Sequence, residues 1–223
     1  MSTDVTVFDP TCLGAAEEVS AKDIQIGRLA VMSASSNLVK EEQAKQGEIV
    51  DLDTLKVMGY KEEKPLELVV LKSFRYWVEK EGDEFIAKYP ATDPNEKPWE
   101  EGNIKRMYHH SFYVLVPSEI EEGIELPYEI AFRSSELNSA KKLSKMLLTM
   151  RRRGAASWNQ SFTVTTEVKK KGQFSWYGTN IKPGAETSEK VRMAAYSWYK
   201  TISDPNVKIK VADEVDTSGE QAF

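Results

Sequence analysis

Over residues 66–79 apolar side chains recur at alternate positions. Leu66, Leu68, Val70, Phe74, Tyr76 and Val78 fall on one side, and Val69, Leu71, Ser73, Arg75 and Trp77 on the other. A period of two is the pattern of a strand, and a strand this long commits the chain to a sheet. Other segments agree. Residues 24–32, 103–116, 128–133 and 158–168 read as strands. Lys169-Lys170-Lys171-Gly172 reads as a basic hairpin turn that returns through residues 174–181.

Two segments carry the helical period instead. After Ser134 or Ser135, either of which can cap it, a helix presents Leu143, Met146, Leu147 and Met150 as its apolar stripe. Arg151, Arg152 and Arg153 fill its last turn, complementing the helix dipole, and Gly154 stops it. A final helix opens near Thr187 and buries Val191, Ala194, Ala195 and Trp198 on one side. Residues 33–65 read as loop with short ordered pieces, and the proline-rich, acidic stretch 90–102 as a surface loop. The expected class is mainly β: an OB-fold-like Greek-key barrel with a helix between strands and a C-terminal helix. A generic α+β sandwich is the alternative.

Charge divides the chain into three parts. Its 223 residues carry a net charge of −5. Residues 1–20 form an acidic arm without a base, and residues 203–223 an acidic tail, so the expected domain is 21–202. Inside it, residues 139–171 hold nine bases against one acid, whereas residues 79–102 hold eight acids against three bases. A body polarised in this way can hold a polyanion on its basic third. No apolar run reaches the roughly 20 residues of a membrane span, and residues 1–9 lack the features of a signal peptide. The single cysteine, Cys12, excludes an internal disulfide, and a cytoplasmic protein is expected.

Motifs for nucleotide cradles, nucleophile elbows or zinc helices are absent, and the only histidines, His109 and His110, are consecutive. On a strand they face opposite ways and cannot share a metal. No catalytic residue, metal or cofactor is therefore expected. What the sequence does offer is basic side chains interleaved with aromatics. Single strands are held by a positive groove and by rings on which bases stack. Most rings here, Phe74, Tyr76, Phe112, Phe132 and Phe162 among them, share faces with Val, Ile and Leu and read as core. Trp77 and Tyr177 share faces with polar residues and read as stacking candidates. Arg75, Arg106 and Arg133 join them on the expected face. Lys141, Lys142, Arg151, Arg152, Arg153, Lys169, Lys170 and Lys171 are the expected phosphate contacts, with Lys145 beside them.

The tail completes the pattern. Residues 213–223 carry Asp213, Glu214, Asp216 and Glu220, no base, and a terminal Phe223. A basic, aromatic, barrel-forming body with such a tail resembles in plan the single-stranded DNA-binding proteins of T7-like phages, whose acidic tails also end in phenylalanine. The resemblance implies a non-catalytic protein that coats single strands during replication and recombination, in the host cytoplasm. It implies a tail that contacts replication proteins such as a DNA polymerase or helicase and shields the groove when DNA is absent. The chain would act alone or as a homodimer. A phage structural or assembly protein and a metal-dependent nuclease are the rival readings.

Overall fold

A computed structural model describes residues 23–211, apart from 83, 94 and 95. The chain runs β1 (Asp23–Val31), α1 (Asn37–Lys40), β2 (Ile49–Asp51), β3 (Val57–Gly59), β4 (Leu66–Glu81), β5 (Glu84–Pro90), β6 (Trp99–Glu101) and β7 (Ile104–Leu115). It continues through α2 (Pro117–Glu121), β8 (Tyr128–Arg133), α3 (Leu137–Arg152), β9 (Gln160–Lys171), β10 (Phe174–Glu186), α4 (Glu189–Ser203) and β11 (Lys208–Val211). The protein is thus mainly β, with a helix between strands and a C-terminal helix, as the sequence leads one to expect.

Eight strands form one curled sheet in the order β10-β9-β4-β7-β8-β1-β2-β3. Each of them contributes to one apolar cluster: Leu29, Ile49, Met58, Leu68, Phe112, Ile130, Phe162 and Ile181 are all buried within it. A sheet whose end strands share a core must wrap around it. The two ends are tied by turn contacts: Thr166 Oγ1 donates to the Gly47 carbonyl at 2.7 Å, and Lys182 pairs with Glu62 at 3.0 Å. Helix α3 covers this core with Ala140 and Leu143, backed by Met146, Leu147 and Met150. Helix α4 packs on the other face, where Val191, Ala194 and Ala195 meet Val69, Leu71 and Leu115.

Three details differ from the expected reading. First, the alternation in β4 does not run unbroken. Val70 pairs with Val114 but Lys72 pairs with Tyr113, so Leu71 is an extra residue in a β-bulge. The bulge exchanges faces: Ser73, Arg75 and Trp77 continue the core side of Leu68 and Val70, while Phe74, Tyr76 and Val78 continue the outer side. Second, the stretch 90–102 expected to be loop carries a short strand, β6, and residues 84–90, for which the sequence predicts no element, form β5. β5 pairs with β4, and β6 pairs with β7, so that β5-β4-β7-β6 extends beyond the barrel as a four-stranded arm. Third, neither Ser134 nor Ser135 caps α3. A 3₁₀ turn over Ser134–Glu136 precedes it, and the Glu136 side chain is drawn away to Thr179. Helix α4 is capped by Ser188, whose Oγ accepts from the Val191 N–H at 3.2 Å. No described helix is long and apolar enough to cross a membrane.

Candidate nucleic-acid interface

Where β1, β8 and β10 approach one another they leave a groove of about 390 Å³. Its walls include Arg28, Lys105, His109, Arg133, Trp176 and Tyr177. The strand pairings explain the convergence. Arg133 stands opposite His109 across β7 and β8, and Arg28 opposite Glu129 across β1 and β8. Trp176 and Tyr177 stand opposite Lys169 and Val168 across the β9–β10 hairpin. Three strands therefore bring cations, and one brings two rings.

Tyr177 is held from behind by Gly47. The glycine has φ +89° and lies against the tyrosine ring so closely that a Cβ there would collide with it. Beside the ring lie Tyr60, with centroids 6.4 Å apart, and the Lys61 ammonium, 5.5 Å from the Tyr177 centroid. Hydrogen bonding to Tyr60, and then to Lys61, holds the Tyr177 phenol below its ordinary pKa. At the groove's lip Glu136 accepts from the backbone N–H and the hydroxyl of Thr179, both at 2.6 Å. Lys169 lies 3.5 Å from the same carboxylate and donates to the Thr179 carbonyl at 3.1 Å. Lys169 is thus partly neutralised in place. Lys170 and Lys171 extend from the hairpin tip, exposed and without ion pairs among the described residues.

The remaining candidates do not join this groove. Arg75, Trp77 and Arg106 lie on the opposite sheet face from Arg133, because Arg75 pairs with His110 whereas Arg133 pairs with His109. Trp77 is a correction to the expected stacking role: it is 2% exposed, packed edge-on against Tyr108 at 5.2 Å. A ring with no open face cannot receive a base. Arg106 is also engaged. It bonds Glu79 at 3.1 Å and Glu96 at 2.7 Å, and its guanidinium sits 5.0–5.5 Å from the rings of Trp77, Tyr89 and Trp99. Arg75 stays exposed. Lys142 donates to Asn180 Oδ1 at 3.3 Å, while Lys141 and Lys145 face solvent on α3. Arg151, Arg152 and Arg153 are exposed at its far end, about 24 Å along the 16-residue helix from its start. Asp213, Glu214, Asp216, Glu220 and Phe223 lie outside the described residues.

Sequence reasoning missed Arg28, Lys105 and Trp176. Trp176 adjoins Tyr177 and Lys105 adjoins Arg106, so each was one strand register from selection. A second polar cluster is structural in character. Buried Glu129 accepts from Tyr76 Oη at 2.8 Å and lies 3.9 Å from Lys88 Nζ, and Ser111 donates to Tyr76 Oη at 3.2 Å. Its members bond one another and join β4, β5, β7 and β8. Among the described residues no group of three or more His, Cys, Asp or Glu is placed to hold a metal ion.

No curated protein and no solved structure matches this chain. Residues 6–208 match the family described as Pam3 phage gp34-like protein, and with that much of its length covered the chain belongs to this phage family.

Proposed function

We propose that the protein binds single-stranded DNA without strong sequence preference, with the strand lying in the groove between β1, β8 and β10. The observation that carries this reading is the convergence there of Lys105 and Arg133 with the rings of Trp176 and Tyr177, Arg28 being buried in the groove wall. Cations track phosphates and rings accept bases, which is what a sequence-tolerant single-strand site requires. Lys170 and Lys171 continue the positive surface from the groove's edge. Duplex binding fits less well, because paired bases hide the faces that rings would stack on. A tail carrying Asp213, Glu214, Asp216 and Glu220 would compete with DNA for this groove, and Phe223 would serve a replication partner. A second reading, a phage assembly protein, draws support from two oppositely charged surfaces outside the groove.

The test is fluorescence anisotropy of labelled oligo-dT and a matched duplex, titrated at several salt concentrations with tryptophan quenching in parallel. Preference for the single strand with a steep salt slope is the expected result. Replacing Lys170 and Lys171 by glutamine should reduce the slope by about 1.4, at roughly 0.7 per phosphate contact. The same change at Arg151, Arg152 and Arg153 should leave it nearly unaltered. Tyr177→Ala should weaken binding by about 1–3 kcal/mol, the worth of one stacked base. Absence of binding at low salt removes this reading in favour of the assembly protein. Magnesium-dependent loss of the oligonucleotide would indicate a nuclease instead.

A further inference from the structure

We propose that copies of this chain associate head to tail, the acidic tip of the sheet arm of one copy docking on the solvent face of α3 in the next. The inference does not rest on DNA binding. Register places Glu84 opposite Glu81, Glu81 opposite Ile104, and Ile104 opposite Glu101, so three carboxylates share one row across the tip. Like charges placed directly opposite destabilise a sheet. The repulsion is not relieved inside the chain: among the described residues Glu81, Glu84, Glu100 and Glu101 form no ion pair. Beside them Phe85 is 55% and Ile86 46% exposed.

The solvent face of α3 is the reverse image. Lys141, Lys145, Leu148 and Arg152 follow one another at helical spacing, so they lie along a single stripe. Leu148 is 48% exposed in the middle of it. Lys141, Lys145, Arg151, Arg152 and Arg153 likewise form no ion pair among the described residues. Each surface thus combines uncompensated charge of one sign with exposed apolar area. Arm on arm would set carboxylates against carboxylates, and helix on helix cations against cations, so sign is matched only arm to helix. A two-fold pair meets that condition only by making both arm-to-helix contacts at once. A single contact is heterologous, leaves one arm and one helix free, and propagates as an open chain where it does not close into a ring. Growth past the dimer therefore marks the head-to-tail arrangement.

Sedimentation velocity of the full chain tests this. At about 0.1 M salt the weight-average sedimentation coefficient should rise with protein concentration, and at about 1 M, where the screening length falls to roughly 3 Å, the rise should vanish. The arm variant (Glu81→Gln, Glu84→Gln, Glu101→Gln) and the helix variant (Lys141→Gln, Lys145→Gln, Arg152→Gln) should each stay monomeric, with circular dichroism unchanged. Mixed in equal amounts, they should form a dimer and nothing larger, because one intact arm meets one intact helix. Wild-type protein that is monomeric at all concentrations, a dimer that persists at 1 M salt, or association that survives either set of substitutions would overturn the proposal. So would a mixture that remains monomeric.

Discussion

The strand pair β4–β7 has two halves held together by different physics. In the barrel half, Leu68, Val70, Phe112 and Val114 are buried under α3, and Val69, Leu71 and Leu115 under α4. Both faces there are apolar and dry. In the arm half, α3 reaches the sheet only through its first residue, Leu137, among the described residues, and the inner face is organised around one cation. Arg106 is surrounded by Trp77, Tyr89 and Trp99 and tied to Glu79 and Glu96. The same two strands therefore pass from a core made by area to one made by a few directed contacts. Alternation in the sequence reports that a strand has two faces; it does not report what covers them.

The contrast can be broken at either end. The largest effect is expected from Phe112→Ala, which empties the centre of the barrel. It should cost about 3–5 kcal/mol of global stability, read from the urea midpoint at constant m-value. A loss below 1 kcal/mol would mean that the barrel core is not the dominant store of stability. Arg106→Ala should act locally, since it removes the cation from three rings and leaves two carboxylates without their partner. Hydrogen exchange should quicken in β5 and β6 while the global midpoint scarcely moves. If the midpoint falls as far as for Phe112→Ala, the arm and the barrel are one cooperative unit. Ser188→Ala removes the α4 cap and should cost about 1 kcal/mol, felt globally because α4 covers the barrel's outer face.

The last effect is a slope. His110 sits at the seam between the halves, stacked 4.7 Å from Phe112, and its Nε2 is 3.4 Å from Ser144 Oγ. Burial, and then the Arg75 guanidinium, push it down to about 4 from an ordinary 6.5. Between those values the unfolded chain binds a proton that the folded chain refuses. Stability should therefore fall as pH drops from 6.5 towards 4, and His110→Gln should flatten that dependence.

Much of this fold could be read from residue order. The strand over Tyr128–Arg133, the long β4 and β7, the hairpin turn after Lys171 and the stop at Gly154 all follow from period and turn chemistry. What stayed hidden has identifiable causes. The bulge at Leu71 inserts one residue without any glycine or proline to mark it, so every face assignment after it inverted. β5 and β6 are exposed edge strands, rich in charge, and show no apolar alternation. The groove was half legible. Arg133 and Tyr177 could be named from composition and face, but Arg28 joins them only because β1 pairs in parallel with β8, a contact 101 positions away along the chain. Trp77 was misread for the same reason as the faces: it shares a side with Arg75, and the bulge turned that side inward.

That single extra residue is slack in the strand. Delete Leu71 and Val70 and Lys72 become consecutive rungs opposite Val114 and Tyr113, so every pair beyond them is kept and only the packing of Leu71 under α4 is lost. A second one-residue deletion before Tyr76 has no bulge left to absorb it. The strand beyond would turn over, carrying Trp77 and Glu79 away from Arg106 and Tyr76 away from Glu129. Length changes in this segment should therefore be tolerated once and rejected twice, a counting rule that no inventory of contacts would suggest.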